Sequence, residues 1–573
     1  DGDLDLVVNN IDEVAFVYRN NSRENNGGNF LRVKLEGTNA ETFNSKVTLF
    51  MADEIQYQEF SPVRGFESSV EPILHFGLGN KTEISKIRIE WPDGKIQERI
   101  YTGVNELIAI DRDESEFVQS KIEQQTQPIF KYQSIKKLGV DYRHKENKFD
   151  DYTKEILLPH SQSKLGPFTA VGDINNDGLD DFYVGGAKGQ SGKMYLQQSD
   201  GTFSYKNGSW MKDYQSEDMD ATFFDADGDK DLDLYVVSGG GGDFEGNEGL
   251  TQDRLYINYG NGDFVKSTAL PKMLTSGMKV TANDFDDDGD IDILVGGRTT
   301  PGKYPIIPKT YLLENQGKKF VDVTTEKAPD LTEIGMVTDM LWSDFSGDGK
   351  EDLILVGEWM SPQFFENQAG SLLNVTSSMN GLENMNGWWY SIAAADVDND
   401  GDQDYIMGNV GLNTKFTPEN GKILSIYGND FDNSGTLDIV ISKDYKGTEV
   451  PLRGRQCSSE QMPSIKEKFP TYGSFAKASL EDIYSTQMLT ESVHLTANTF
   501  ESAVLINDNG TFISKPLPRL AQIAPINRIL VDDINQDGNP DLIISGNMHQ
   551  TEVETPRYDA GNGLILSQVV SYS

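Results

Sequence analysis

The chain has 573 residues, with 91 Asp and Glu against 50 Lys and Arg and a formal net charge of −41. That balance excludes a nucleic-acid binder, which needs a cationic footprint, and disfavours adhesion to anionic lipid. The one cysteine, Cys457, excludes an intrachain disulfide, and no apolar run is long enough to span a bilayer as a helix.

In chain order, Asp1-Gly2-Asp3-Leu4-Asp5-Leu6-Val7-Val8 reads as the second half of an acidic loop and the strand after it. Residues 1–28 are therefore expected to be the tail of an upstream repeat in a longer protein, ending in the polar stretch Asn20–Gly28. Residues 29–111 carry short runs with the period-2 alternation of half-buried strands, such as Leu31-Arg32-Val33-Lys34-Leu35, Lys46–Phe50 and Ile84–Trp91. Pro92-Asp93-Gly94 makes a turn, and the segment reads as a compact β domain without acidic loops. Residues 112–165 are mixed and charged, broken by Pro128 and Pro159, and read as a connector with some local structure.

From Gly166 to the end at Ser573, one acidic loop recurs seven times between apolar strand-like runs, as Asp-x-Asp/Asn-x-Asp-Gly-x-x-Asp with local departures. The copies begin at Asp173, Asp225, Asp284, Asp344, Asp396, Asp430 and Asp533, spaced 52, 59, 60, 52, 34 and 103 residues apart. Units of this length built from several short strands fit propeller blades. The runs before and after each loop, such as Lys279–Ala282 and Ile293–Val295, supply the strands, and a later Gly-x-Phe turn recurs at Phe203, Phe264 and Phe512. The long last gap holds an insertion at about 451–490, where Phe475, Ala478 and Ile483 share one face of a helix-like stretch.

The loops place hard oxygen ligands at alternating positions, as Ca²⁺ requires. Positions one, three and five offer side-chain oxygens, position seven a backbone carbonyl and position nine a carboxylate. The first set is Asp173, Asn175, Asp177, Leu179 and Asp181; the second is Asp225, Asp227, Asp229, Asp231 and Asp233. The third is Asp284, Asp286, Asp288, Asp290 and Asp292, and the fourth is Asp344, Ser346, Asp348, Lys350 and Asp352. The fifth is Asp396, Asp398, Asp400, Asp402 and Asp404, and the sixth is Asp430, Asp432, Ser434, Thr436 and Asp438. The last is Asp533, Asn535, Asp537, Asn539 and Asp541.

Glycine at position six permits the positive φ that curls the chain round an ion. An EF-hand needs an acid at position twelve, but here that position is Val184, Val295 or Met407 inside a strand, so these are β-hairpin loops. Lys230 stands at the glycine position, and Ser346 and Ser434 replace carboxylates, so weaker sites are expected there. The ions, up to about seven, are expected to hold hairpins rather than to perform chemistry. Such weak loops fill where calcium reaches ~10⁻⁴–10⁻³ M, which points to the cell exterior.

The loops with their flanking strands, over about 166–550, resemble the FG-GAP or VCBS repeats of integrin-like β-propellers. Asn29–Gly37, His75-Phe76-Gly77-Leu78-Gly79 and Ile89–Lys95 look like an ASPIC/UnbV domain, and the combination resembles the cartilage acidic protein family. The resemblance implies an all-β chain. A seven-bladed calcium-binding propeller would follow a small β-sandwich-like domain, and it would be non-enzymatic and bind protein partners through loops on one face. Similar bacterial proteins are outer-membrane surface lipoproteins, some beside SusC/SusD-type nutrient importers. This implies a Gram-negative cell-surface accessory subunit, lipid-anchored through residues upstream of the present N-terminus. Lys230, Ser346 and Ser434 depart from the family's acidic pattern.

Catalytic constellations are not legible. The five histidines, His75, His144, His160, His494 and His549, form no His-x-x-x-His pair, and no Gly-x-Ser-x-Gly elbow exists. Gly186–Met194 misses a phosphate loop by one residue of glycine spacing and by Met194 at the Ser/Thr position. Trp388-Trp389-Tyr390 fits either a sugar-stacking platform or packing between sheets, with packing favoured, and Trp342 and Trp359 read the same way. The leading expectation is a calcium-rigidified binding module that docks another protein. The alternative is a surface protein that binds or processes glycans.

Overall fold

A computed structural model describes residues 4–10, 13–21, 25, 27–52, 54–112, 117–118, 129–416, 418, 423–508 and 510–567. Asp1 and Asp3 lie outside the described residues. The chain divides into two compact units, Asp1–Tyr132 and Gln133–Ser573.

In the first unit, Asn29–Glu36 pairs antiparallel with Leu74–Gly79 and parallel with Glu106–Asp111. A five-stranded sheet runs in the order Phe117–Val118, Ile96–Ile100, Lys86–Glu90, Lys46–Phe50, Ile55–Glu59. Alternate residues of both sheets (Leu31 and Val33, Val47 and Leu49, Ile87 and Ile89) close one core with Phe76 and Trp91. Strands half-buried on one face alternate in this way.

The second unit is a series of antiparallel sheets, each a meander that starts at its first strand and turns through an acidic loop. The first comprises Thr169–Gly172, Asp181–Val184, Lys193–Gln197 and Phe203–Lys206; the second Glu217–Phe224, Asp233–Gly239, Arg254–Asn258 and Phe264–Lys266. The third comprises Ser276–Asn283, Asp292–Thr299, Tyr311–Asn315 and Phe320–Asp322; the fourth Met336–Ser343, Asp352–Met360, Gln363–Asn367 and Leu372–Asn374. The fifth comprises Gly387–Ala395, Asp404–Asn409, Ala503–Asp508 and Thr511–Pro516, and is joined to the fourth where Glu358 and Met360 pair with Trp388 and Gly387; the sixth comprises Arg528–Asp532, Asp541–Ser545 and Leu564–Leu566.

Second strands such as Leu234–Val237 and Leu353–Val356 are buried throughout, because neighbouring sheets cover both faces. First strands meet at a common centre. The Val280 amide donates to Asp220 (3.1 Å) and the Ile392 amide to Asp339 (3.2 Å). Lys279 bridges Asp220 (3.4 Å) and Asp339 (3.5 Å), Arg528 lies 3.8 Å from Asp339, and its guanidinium stacks 3.7 Å over Phe168, beside the first sheet. Sheets so placed are the blades of a propeller-like fold.

Two expectations change. The seven acidic loops do not mark seven blades in series, because the Asp430 loop belongs to an inserted sheet. That sheet, in the order Thr448–Pro451, Asp438–Tyr445, Leu424–Asn429, Val493–Ala497, interrupts the fifth sheet between Asp404–Asn409 and Ala503–Asp508. The insertion is thus wider than 451–490. Its helices, Arg455–Gln461 to Thr486–Thr490, pack Ile465, Phe475, Leu480 and Ile483 against Tyr427, Phe431 and Val440. The opposite face of the inserted sheet, Leu424, Ile426, Ile439 and Ile441, joins a core with Trp359 and Trp388.

The stretch read as a connector also divides, since residues 133–165 group with the second unit. Asp151 is buried and accepts from the hydroxyls of Ser161 (2.5 Å) and Ser163 (2.6 Å), while His160 bridges to Thr551.

Candidate metal centres

Each loop joins the first strand of its sheet to the second, so strand pairing brings position nine back beside position one. In the third loop Asn283 pairs with Asp292. The position-one carboxylate then organises the turn: Asp284 accepts from the amides of Asp288 (3.0 Å) and Gly289 (2.9 Å). Asp173, Asp344, Asp396, Asp430 and Asp533 each accept from the amides of positions five and six in the same way. Asp225 accepts from Gly228 (2.8 Å) and Lys230 (2.9 Å).

Position six is left-handed in every copy, with Lys230 at φ +75° among glycines at +84° to +101°. Position four is left-handed too, at Asn176, Gly228, Asp287, Gly347, Asn399, Asn433 and Gln536. Asn, Asp and Gly tolerate that conformation best.

The side chains of Asp284, Asp286 and Asp292 converge to within 4.8 Å, as do those of Asp396, Asp398 and Asp404, and of Asp430, Asp432 and Asp438. The second loop gathers Asp225, Asp227 and Asp229 instead. In the remaining three loops position three is neutral: Asn175, Ser346 or Asn535. Substitution at Lys230 and Ser434 therefore leaves a triple carboxylate cluster in place. Position five mostly serves the turn, with Asp177, Asp229, Asp288, Asp348, Asp400 and Asp537 accepting from the amides of Leu179, Asp231, Asp290, Lys350, Asp402 and Asn539. In the sixth loop Ser434 meets Thr436 hydroxyl to hydroxyl (2.7 Å).

Position nine is buried in every loop, and in five of them backbone amides hold both of its oxygens. Asp233 accepts from Ala226 (2.8 Å) and Asn258 (2.7 Å), Asp292 from Phe285 (3.2 Å) and Asn315 (2.7 Å), and Asp404 from Val397 and Asn507 (2.8 Å each). Asp181 and Asp352 are held likewise by Gln197 and Asn367. Burial pushes the carboxyls of Asp233, Asp292 and Asp438 up to about 7, against the backbone hydrogen bonds that lower them.

The residues fit a cation at position three. Asp227 Oδ1, Asp286 Oδ1 and Asp398 Oδ1 are buried and accept no hydrogen bond, each beside a second and third carboxylate. A buried oxygen without a donor is costly, and a bound cation would satisfy it.

A second recurrent group was not legible beforehand. Asn258, at the end of its sheet's third strand, donates its side-chain amide to the Ile174 carbonyl in the preceding loop (2.9 Å). Asn315 does so to Ala226 (3.0 Å) and Asn367 to Phe285 (2.7 Å). In these three sheets the position-nine Asp thus fixes an Asn backbone whose side chain ties down the loop of the sheet before. The aromatic run is not a surface platform, since Trp388, Trp389, Tyr390 and Trp359 are all buried.

This chain is an all-β protein that carries an ASPIC/UnbV domain and FG-GAP repeats. Residues 35–117 match the family described as ASPIC and UnbV, and residues 173–236 and 344–407 match the FG-GAP-like repeat. Among curated proteins it is similar to human Cartilage acidic protein 1, at 35% identity over 105 residues, which is 17% of this chain and 15% of that protein's length. Among solved structures it resembles an Agrocybe aegerita lectin described as recognising non-reducing terminal N-acetylglucosamine, at 13% identity and a TM-score of 0.35, over 72% of this chain and 86% of the lectin. It also resembles the V. cholerae biofilm matrix protein Bap1, at 11% identity and a TM-score of 0.29, over 72% of this chain and 82% of that one. These structural likenesses are loose.

Proposed function

We propose that the acidic loops bind Ca²⁺ and that the ions rigidify a cell-surface module that docks a protein partner. The observation that supports this most directly is the unpartnered position-three carboxylate oxygen in three loops, set within clusters of three carboxylates. When bound, calcium would supply structural cross-links between the two ends of a hairpin, through positions one, three and nine in the Asp284, Asp396 and Asp430 loops. By analogy with the bacterial relatives, the partner is a SusC/SusD-type importer in the outer membrane. The matched families are a repeat and a small domain rather than enzyme families. The glycan alternative loses its aromatic platform, because those rings pack the core.

The test is thermal melting with and without chelator. An ion held at a hundred times its dissociation constant stabilises by about 2.7 kcal/mol, so several ions together shift the midpoint strongly. EDTA should lower the melting temperature sharply and release the importer from the immobilised protein. An unchanged melting curve would remove the structural role of calcium.

A further inference from the structure

The end of the second unit opposite the acidic loops contains a cavity of about 300 Å³. Each loop leaves the far end of a first strand, whereas Met278, Tyr390 and Arg528 sit near the starts of first strands, and Arg298 lies near the end of a second strand. Volumes of this size suit one small ligand.

The lining is unusual for a chain of net charge −41, because Arg298, Arg528 and Lys164 all border it. Arg298 is only 1% exposed. Its Nη2 pairs with Glu358, which also meets His160 (2.7 Å) and accepts from the Tyr304 hydroxyl (2.9 Å). Its Nε and Nη1 are buried and donate to nothing. Arg528 Nη2 and the Tyr390 hydroxyl are buried without partners as well. Lys164 is half-buried and has no ion-pair partner among the described residues.

Four unpaired buried donor atoms around one cavity call for an acceptor with several lone pairs, which an oxyanion supplies. Arg and carboxylate match in planar geometry. The neighbouring Phe168, Leu165 and Met278 would cover a carbon body. The other charged or titratable groups at the cavity are Glu146 and His549. His549 lies 3.6 Å from Asp559; Glu146 pairs with His144 through one oxygen and leaves the other as an acceptor for a ligand hydroxyl or amine.

We propose that this cavity binds a small organic carboxylate whose body carries a hydroxyl or amine, of the size of a sugar acid or an amino acid. Arg298, Arg528 and Tyr390 receive the carboxylate and Lys164 adds charge at the rim. The site draws on no acidic loop, so it stands or falls apart from the calcium reading.

The test is calorimetric titration of the full calcium-loaded chain with sodium glucuronate, sodium glutamate, inorganic phosphate and neutral glucose. At least one carboxylate should bind at millimolar concentration or tighter, with affinity falling as salt rises. Tyr390→Phe removes a hydroxyl that bonds nothing in the protein, so it should weaken binding about tenfold and leave the melting temperature unchanged. Lys164→Gln should weaken binding less and reduce its dependence on salt. No binding of either carboxylate, glucose binding as tightly as glucuronate, phosphate binding more tightly than both carboxylates, or wild-type affinity in both variants would overturn the proposal.

Discussion

Lys230 holds a left-handed backbone, at φ +75°, where the other six loops place glycine. A side chain in that conformation costs about 1 kcal/mol or more, and glycine adopts it freely. Lys230→Gly should therefore stabilise the chain by about 1 kcal/mol, seen as a higher urea midpoint with an unchanged slope. That cost was legible in the sequence, because one residue broke a sixfold glycine pattern. The second left-handed residue, at position four, was not. Its types vary from Asn176 to Gln536, and a position flanked by ligands on both sides reads as a spacer.

Glu155 shows another property hidden from sequence. It is buried, accepts from the Tyr304 amide (2.8 Å), and is pushed up to about 7 by burial. The folded state therefore holds a proton that the unfolded state releases above its ordinary range near 4.5. The stability this proton confers is present in acid and is lost as pH rises through about 7. Glu155→Gln in calcium-loaded protein should flatten the decline in unfolding free energy between pH 5 and pH 8, measured by urea titration.

Among the elements, a link between sheets is carried by side-chain amides that cross from the third strands of the second, third and fourth sheets to the loop behind each. Asn315 donates to Ala226 (3.0 Å) and Ile291 (3.2 Å) while its backbone amide meets Asp292 (2.7 Å). Asn315→Ala would leave one buried and one half-buried carbonyl short of a donor and should cost about 2–3 kcal/mol in chemical denaturation. Asn258, Asn315, Asn367 and Asn507 all stand just before a glycine turn, so the signal was present. It resembles an ordinary turn-forming asparagine, and only the neighbouring sheet reveals its second use. The alternating strands of residues 29–111 were legible because one face of each is dry. The inserted sheet was not, because its loop keeps Asp at positions one, three and nine and glycine at position six, as the Asp284 and Asp396 loops do. The short interval of 34 residues before Asp430 was the one hint that this copy lies outside the series.

For the whole molecule, the acidic loops are confined to the second unit among the described residues. Calorimetry in EDTA should accordingly split the melting profile: the endotherm of the second unit moves down and that of the first stays in place. Coincident movement of both would mean that the units unfold as one. The interrupted fifth sheet has a consequence of its own. Met407 pairs with Ala503 across the entire insertion, whereas the fourth sheet closes the same ladder over a short hairpin, Leu355 to Gln363. Long-range pairing of this kind carries a loop-closure penalty and slows folding. During synthesis, Asp404–Asn409 leaves the ribosome with an open edge and waits for a strand that follows only after a small sheet and five helices. That waiting edge is where the nascent chain is most exposed to mispairing with its neighbours.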